Sequence, residues 1–294
     1  MPGVVRPRRS ILYMPGSNAR ALEKARSLAA DGLIFDLEDA VAPEAKEVAR
    51  QMVCKAIRAA GYGKRELIVR VNALATAWGY ADLTAVAACG ADAILLPKVE
   101  SADIVRQVLS ILQTHGAPDQ LAVWCMLETP HGILRAEEIA ASPRVAALVM
   151  GTSDLTKELR ARHTRERHPL LASLGWCVVV GRAYGLAVLD GVHLDLSDDE
   201  GFEYACRQAA DMGFDGKTLI HPKTIATANE IFTPSPDEIA WSRQVITAHA
   251  QATAQGQGIV VVGGRLIENL HVEEARRLVA LAEAIVALEA EAGV

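Results

Sequence analysis

Between residues 10 and 221, eight short β-type runs alternate with stretches of helical spacing, and no other feature restricts the fold as much. The runs cover residues 10–15, 32–38, 66–72, 93–99, 121–129, 146–152, 186–192 and 216–221. Most are near-continuous apolar stretches, the pattern of parallel strands covered on both faces by helices. Eight strand–helix units predict an α/β protein with a closed (β/α)₈ TIM barrel. A doubly wound open sheet shares the alternation. Against it, no G-x-G-x-x-G follows the first run and no G-x-x-x-x-G-K-[ST] occurs anywhere.

The first inter-strand stretch places Leu22, Ala25 and Ala29 on one helical face, and Pro43 suits the first turn of the second helix. The alternation stops after the eighth run. Residues 1–232 therefore form the barrel domain and 233–294 a C-terminal helical extension. Within the extension, a helix is expected over 237–255, a glycine-rich connection over 256–264, and a second helix from Val272 onward. That last helix has two apolar seams, Val272/Ala275/Val279/Ala282/Val286 and Leu278/Leu281/Ile285/Leu288. Such a broad face suits either a helix wedged inside the fold or a subunit interface.

Composition closes off several classes. Of 294 residues, 51% are hydrophobic, which excludes general disorder. Thirty basic against 36 acidic residues give a net charge of −6, the wrong sign for a nucleic-acid footprint. No apolar run is long enough to span a bilayer, so no membrane association is expected. The opening MPGVVRPRRS lacks the apolar core of a secretory signal. Five scattered cysteines with no C-x-x-C pair read as buried free thiols in a reducing cytoplasm.

Chemistry in a barrel sits at the C-terminal ends of its strands. There the sequence places Asp36 and Glu38 after run two, Arg70 and Asn72 after run three, and Lys98 after run four. Runs five and six end in Glu128 and in Gly151-Thr152-Ser153-Asp154. Glu128 and Asp154 follow neighbouring strands, and two carboxylates with water and substrate are the Mg²⁺ style of ligation. The alternative for either is an N-cap of the next helix. No histidine or cysteine spacing suggests zinc. Arg70 suits a substrate carboxylate, an internal salt bridge to Asp36 or Glu38, or both. Lys98 admits a Schiff-base role or a structural partnership with Glu128. The basic segment 157–168 (KELRARHTRERH) is a lid, a phosphate contact or a solvated loop.

The run RRSILYMPGSN…LEKA, then LIFDLEDAVAPEAKEVAR, VRVN, GADAILLPKVES, CMLETPHGI, GTSDLTKELRAR and GKTLIHPKTI, resembles the citrate lyase β-subunit family. That group comprises citryl-, malyl- and citramalyl-CoA lyases within the HpcH/HpaI aldolase superfamily, and the likeness extends from about Arg8 to the C-terminal helix. The resemblance implies Mg²⁺ held by Glu128 and Asp154, with Arg70 gripping an oxo-acid carboxylate and Asp36 and Glu38 supporting it. It implies substrate contacts at Arg70, Glu128, Gly151 and Asp154. Arg9 and Lys24 are placed at the barrel mouth as CoA contacts. It further implies a homotrimer or hexamer in which the C-terminal segment reaches a neighbour's site.

The family's acid in a Gly-rich turn, usually Asp with Pro two residues later, corresponds here to Glu268 with Leu270. The extra methylene moves the carboxylate by roughly an ångström, a scale on which rates change by about 10²-fold. The implied reaction splits a 3-hydroxy-acyl-CoA into acetyl-CoA and an oxo acid, reversibly. Alternatives are a citrate lyase β subunit working on an acyl-carrier thioester, a CoA-independent aldolase, and a non-catalytic ligand-binding relative.

Overall fold

The computed structural model describes residues 5–256 and 258–292. The chain divides into two compact units, one spanning Arg8–Phe232 and the other built chiefly from Thr233 onward. In the first, eight parallel strands close into a barrel: β1 (Ser10–Pro15), β2 (Gly32–Asp36), β3 (Glu66–Arg70), β4 (Ala93–Leu96), β5 (Ala122–Leu127), β6 (Val145–Met150), β7 (Ala187–Asp190) and β8 (Gly216–Leu219). Each strand pairs with the next and β8 returns to β1. The expected (β/α)₈ architecture is the observed one.

All eight runs are strands, but most stop two to three residues short of the predicted C-terminal end. Those lost residues form the turns that carry Glu38, Asn72, Lys98 and Glu128. Alternation persists in the sequence after the ladder has ended, because side chains still alternate while the backbone turns out of the sheet.

The connections carry α1 (Ala19–Lys24), α2 (Lys46–Arg58), α3 (Gly79–Val86), α4 (Ala102–Thr114), α5 (Pro130–Leu134) and α6 (Ala136–Ala140). They continue with α7 (Thr152–Glu158), α8 (Leu171–Ala183), α9 (Asp199–Met212) and α10 (Ile225–Phe232). In α2 the buried Ala49, Val53 and Ile57 share one face at four-residue spacing, the stripe that seats the helix on the barrel. Pro43 opens a short 3₁₀ turn before it. The first helix is shorter than its apolar spacing predicted. A 3₁₀ turn follows at Ala25–Ser27, Leu28 is already extended (φ −84°, ψ 143°), and Ala29 lies outside the helix.

Inside the barrel, Ile11, Ile34, Ile68, Leu95, Trp124, Met126, Val149 and Leu189 form one apolar cluster. Its N-terminal end is closed by Arg8, which bonds both carboxylate oxygens of Glu66 (2.7 and 2.9 Å) and lies over the Trp124 ring. Arg9 lies at this same end. It precedes β1, is buried, and is held by Asp31 through its backbone N–H and the Nε–Nη2 edge of its guanidinium. The assignment of Arg9 to CoA at the barrel mouth is therefore corrected: its position before the strand puts it at the opposite end. Lys24 is exposed in the last turn of α1.

The second unit contains α11 (Pro236–Ala254), β9 (Val260–Val262), β10 (Arg265–Ile267) and α12 (Asn269–Ala292). The glycine-rich connection contains an antiparallel hairpin instead of a plain loop. Gly263 and Gly264 form its turn with φ of +55° and +79°, the double positive φ that a tight hairpin requires. Val272 and Ala275 of the first seam pack with Val245 and Ile267, while Val286 of the same seam is exposed. All five cysteines are free and buried, as expected. Among the described residues, no helix is long and apolar enough to cross a membrane.

Candidate active site

The mouth of the barrel gathers the predicted charged residues. Asp36 ends β2 and Arg70 ends β3, directly paired in register. Arg70 Nε donates to Asp36 Oδ1 at 2.7 Å and Nη2 to Oδ2 at 2.6 Å. The Asp36 oxygens also accept the backbone N–H groups of Glu38 (2.8 Å) and Ala40 (3.1 Å). Asp36 is thus committed to fixing Arg70 and its own turn. The remaining edge of Arg70, Nη1, meets Glu38 Oε2 at 2.9 Å and Asp39 Oδ2 at 3.3 Å. The internal salt bridge and a ligand-facing edge coexist on one guanidinium.

Tyr13 lies beneath this arginine, its ring centroid 4.9 Å from the guanidinium carbon. Burial raises its phenol well above the ordinary value, although Arg70 opposes the rise. It therefore stays protonated as a hydrogen-bond donor. The sequence reading passed it over, yet alternation from Ile11 already turned it inward.

Glu128 follows β5, and Asp154 lies in the first turn of α7 beyond β6. Glu128 Oε1 accepts the backbone N–H of Lys98 at 2.8 Å. Burial, reinforced by the neighbouring acids, pushes the Glu128 carboxyl up to about 8. A Cβ at Gly151 would stand 2.3 Å from Glu128 Cβ and 2.5 Å from its Oε2, so this side chain crosses bare backbone. Only glycine leaves that space open.

Lys98 joins the three acids. Its Nζ lies 3.4 Å from Glu38 Oε1 and 3.6 Å from Asp154 Oδ2, from a backbone held at φ +50°. Burial lowers its pKa, but Glu38, Glu128 and Asp154 outweigh that and the net shift is upward. Both ion pairs favour the charged ammonium over a Schiff-base nucleophile at Lys98. Its structural contact to Glu128 runs through the backbone.

These residues fit a hard divalent cation. The donors are carboxylate oxygens; a cationic group already stands between Glu38 and Asp154, and Glu128 is buried with too little positive charge to keep it ionised. Among the described residues, no group of three or more His, Cys, Asp or Glu side chains could ligate a metal. Two protein carboxylates would leave the other positions to water and substrate, as Mg²⁺ prefers.

The basic segment after α7 divides into two roles. Arg167 turns inward, half-buried, and bonds both oxygens of the buried Asp190 (2.8 and 2.7 Å), which also accepts from the buried Lys217. Arg160, Arg162, His163, Arg165 and His168 remain exposed. Glu268 belongs to the second unit, exposed just before α12, where its backbone N–H donates to His271 Nδ1.

Comparison with known proteins follows the same lines. The sequence profile described as HpcH/HpaI aldolase/citrate lyase matches residues 9–222. A (3S)-malyl-CoA thioesterase from Cereibacter sphaeroides strain KD131 is 50% identical over 284 residues, covering 97% of this chain and 98% of that protein. An L-malyl-CoA/β-methylmalyl-CoA lyase of the same species is 35% identical over 309 residues, covering 97% of each. Among solved structures, CitE of Mycobacterium tuberculosis, in complex with magnesium, acetoacetate and coenzyme A, superposes with a TM-score of 0.74 at 30% identity. That match covers 93% of this chain and 97% of the other.

Proposed function

The chain belongs to the HpcH/HpaI aldolase/citrate lyase family, and we propose that it is a Mg²⁺-dependent enzyme acting on a malyl-CoA-type thioester, with hydrolysis of the thioester as its net reaction. The observation that carries this reading is the barrel-mouth set Arg70, Glu38, Glu128 and Asp154, joined to a likeness over nearly the whole chain to a malyl-CoA thioesterase. The expected carbon–carbon lyase shares the substrate class but breaks a different bond.

Each residue has a distinct task. Arg70, immobilised by Asp36, offers its Nη1 edge to the free carboxylate of the hydroxy-acid end. Glu128 and Asp154 would hold Mg²⁺, which when bound supplies positive charge against the oxygens of that end. Asp36 is taken up by Arg70 and two backbone amides, leaving Glu38 as the proton acceptor. Burial raises its pKa, against the pull of Arg70. In hydrolysis Glu38 takes a proton from water as the oxygen adds to the thioester carbonyl; the C–S bond then breaks and that proton passes to the thiolate sulfur. Tyr13, kept protonated, is the donor left to stabilise the negative charge that develops, Arg70 being committed to the carboxylate end.

The second reading is carbon–carbon cleavage, supported by the likeness to a malyl-CoA lyase. In it Glu38 takes the proton of the 3-hydroxyl, and Glu268 of a neighbouring subunit returns one to the acetyl-CoA enolate. A homotrimer or hexamer and a cytoplasmic location accompany both readings; light scattering on the purified chain tests the first of these. Incubation with malyl-, citramalyl- and citryl-CoA, with and without Mg²⁺, tests the substrate class. Mg²⁺-dependent consumption of malyl-CoA is expected, and inertness toward all three overturns the proposal.

A further inference from the structure

Lys46, the first residue of α2, is 6% exposed and plays no part in the chemistry above. Its Nζ donates to Leu37 O, Glu38 O and Asn72 Oδ1, each at 2.8 Å, so all three ammonium donors are filled. The Trp78 ring covers it at 5.2 Å. None of the three partners is a carboxylate. A buried ammonium satisfied by neutral acceptors alone carries a desolvation cost, seen here as a pKa lowered by burial against the pull of Asp36, Glu38 and Asp82.

The surrounding bonds show what this arrangement holds. Asn72 Nδ2 donates to Leu37 O (2.8 Å) and to Asp82 Oδ2 (2.7 Å), and the Asn72 backbone N–H donates to the same Asp82 oxygen. Arg50, one turn beyond Lys46 on α2, fixes the other Asp82 oxygen at 2.7 Å. The turn after β2 is therefore gripped on two sides. Asp36 receives its N–H groups, while Lys46 and Asn72 hold its carbonyls. The Glu38 side chain then stands between Arg70 Nη1 at 2.9 Å and Lys98 Nζ at 3.4 Å.

We propose that Lys46 is a positioning residue that sets the affinity of Arg70 for a ligand carboxylate by holding the Glu38 turn, so that Glu38 meets Nη1 from one side and leaves the other N–H, now met by the exposed Asp39 at 3.3 Å, to the ligand. This rests on the reading of the barrel mouth as the binding site for the acid end of the substrate. A capping lysine with no further role would alter stability and the folded fraction, but not the affinity of the folded protein.

The test is calorimetric titration of glyoxylate, in the presence of Mg²⁺, into wild type, Lys46→Met, Glu38→Gln and the double variant. Loss of an outer support of this kind costs about 10–100-fold in affinity or activity, so Lys46→Met is expected to weaken glyoxylate by about tenfold or more. In the Glu38→Gln background the same change is expected to matter by less than about threefold, because the residue it acts through has been altered. Unchanged affinity, or the same factor in both backgrounds, overturns the proposal. If Lys46→Met does not fold, Asn72→Ala, which removes one of its three acceptors, is read against the same two criteria. Wild type that binds glyoxylate but leaves malyl-CoA untouched overturns the proposed reaction, not the positioning role. Wild type that binds no glyoxylate overturns the positioning role, while the proposed hydrolysis is decided by malyl-CoA turnover.

Discussion

Arg70 and Asp36 meet fork to fork across two neighbouring strands, with Nε–Oδ1 and Nη2–Oδ2 distances of 2.7 and 2.6 Å. The pair spends two of the three guanidinium nitrogens on orientation and leaves the third, met by Glu38 and Asp39, to be shared with a ligand. Lysine cannot reproduce that division. Arg70→Lys is expected to lower kcat/KM for the thioester by about 10²–10³-fold, the usual cost of one charge-stabilising donor. Arg70→Ala also leaves Asp36 buried without its partner, a loss of about 3–5 kcal/mol that urea denaturation will read.

Gly151 offers a test that changes no charged group. Alanine there puts a Cβ 2.3 Å from Glu128 Cβ, and the neighbour is a side chain anchored to Lys98 N–H. Gly151→Ala is expected to displace the Glu128 carboxylate and to weaken Mg²⁺ binding by about 10–100-fold. Titration calorimetry with Mg²⁺ alone measures this without turnover.

Glu128 gives the protein a pH signature. Its carboxyl rises from the ordinary value to about 8, burial being the main cause. Between those values the folded protein keeps a proton that the unfolded chain releases. Its contribution to stability is complete below the ordinary carboxylate range and is lost as pH climbs through about 8. Without divalent cations, the Tm of wild type is therefore expected to fall, relative to Glu128→Gln, between about pH 5 and pH 8. Mg²⁺ affinity should rise over the same interval, with proton release detectable in buffers of different ionisation enthalpy.

The fold was legible because its signals are local and repeated. Apolar runs and helical spacing identified all eight strands, and their place at the C-terminal ends of the runs put Asp36, Arg70 and Glu128 at one end. What failed had a physical cause in each case. Arg9 precedes the first run, which already set it at the far end; only its partner Asp31 was hidden by distance along the chain. The Gly263–Gly264 hairpin was hidden by strands of only three residues each. Lys46 escaped because its partners lie in the turns after β2 and β3, where spacing along the chain carries no information.

The triad of Arg167, Asp190 and Lys217 ties the basic segment to the barrel wall. Asp190 is fully buried and opposes two cations, which hold its carboxyl below the ordinary range despite the burial. Asp190→Asn leaves the half-buried Arg167 and the buried Lys217 without an anion and is expected to cost about 3–5 kcal/mol. Amide hydrogen exchange across residues 160–168 should speed up with it. Unchanged exchange would show that the segment is held by other contacts.

The most direct test of the proposed activity is a product balance on (3S)-malyl-CoA with Mg²⁺, counting free thiol, malate and glyoxylate from the same reaction. The account predicts one thiol and one malate for each substrate consumed, no accumulated glyoxylate, and loss of all turnover in Glu128→Gln and Asp154→Asn. Glyoxylate and acetyl-CoA in equal amounts, with no free thiol, would contradict hydrolysis and assign the same site to carbon–carbon cleavage.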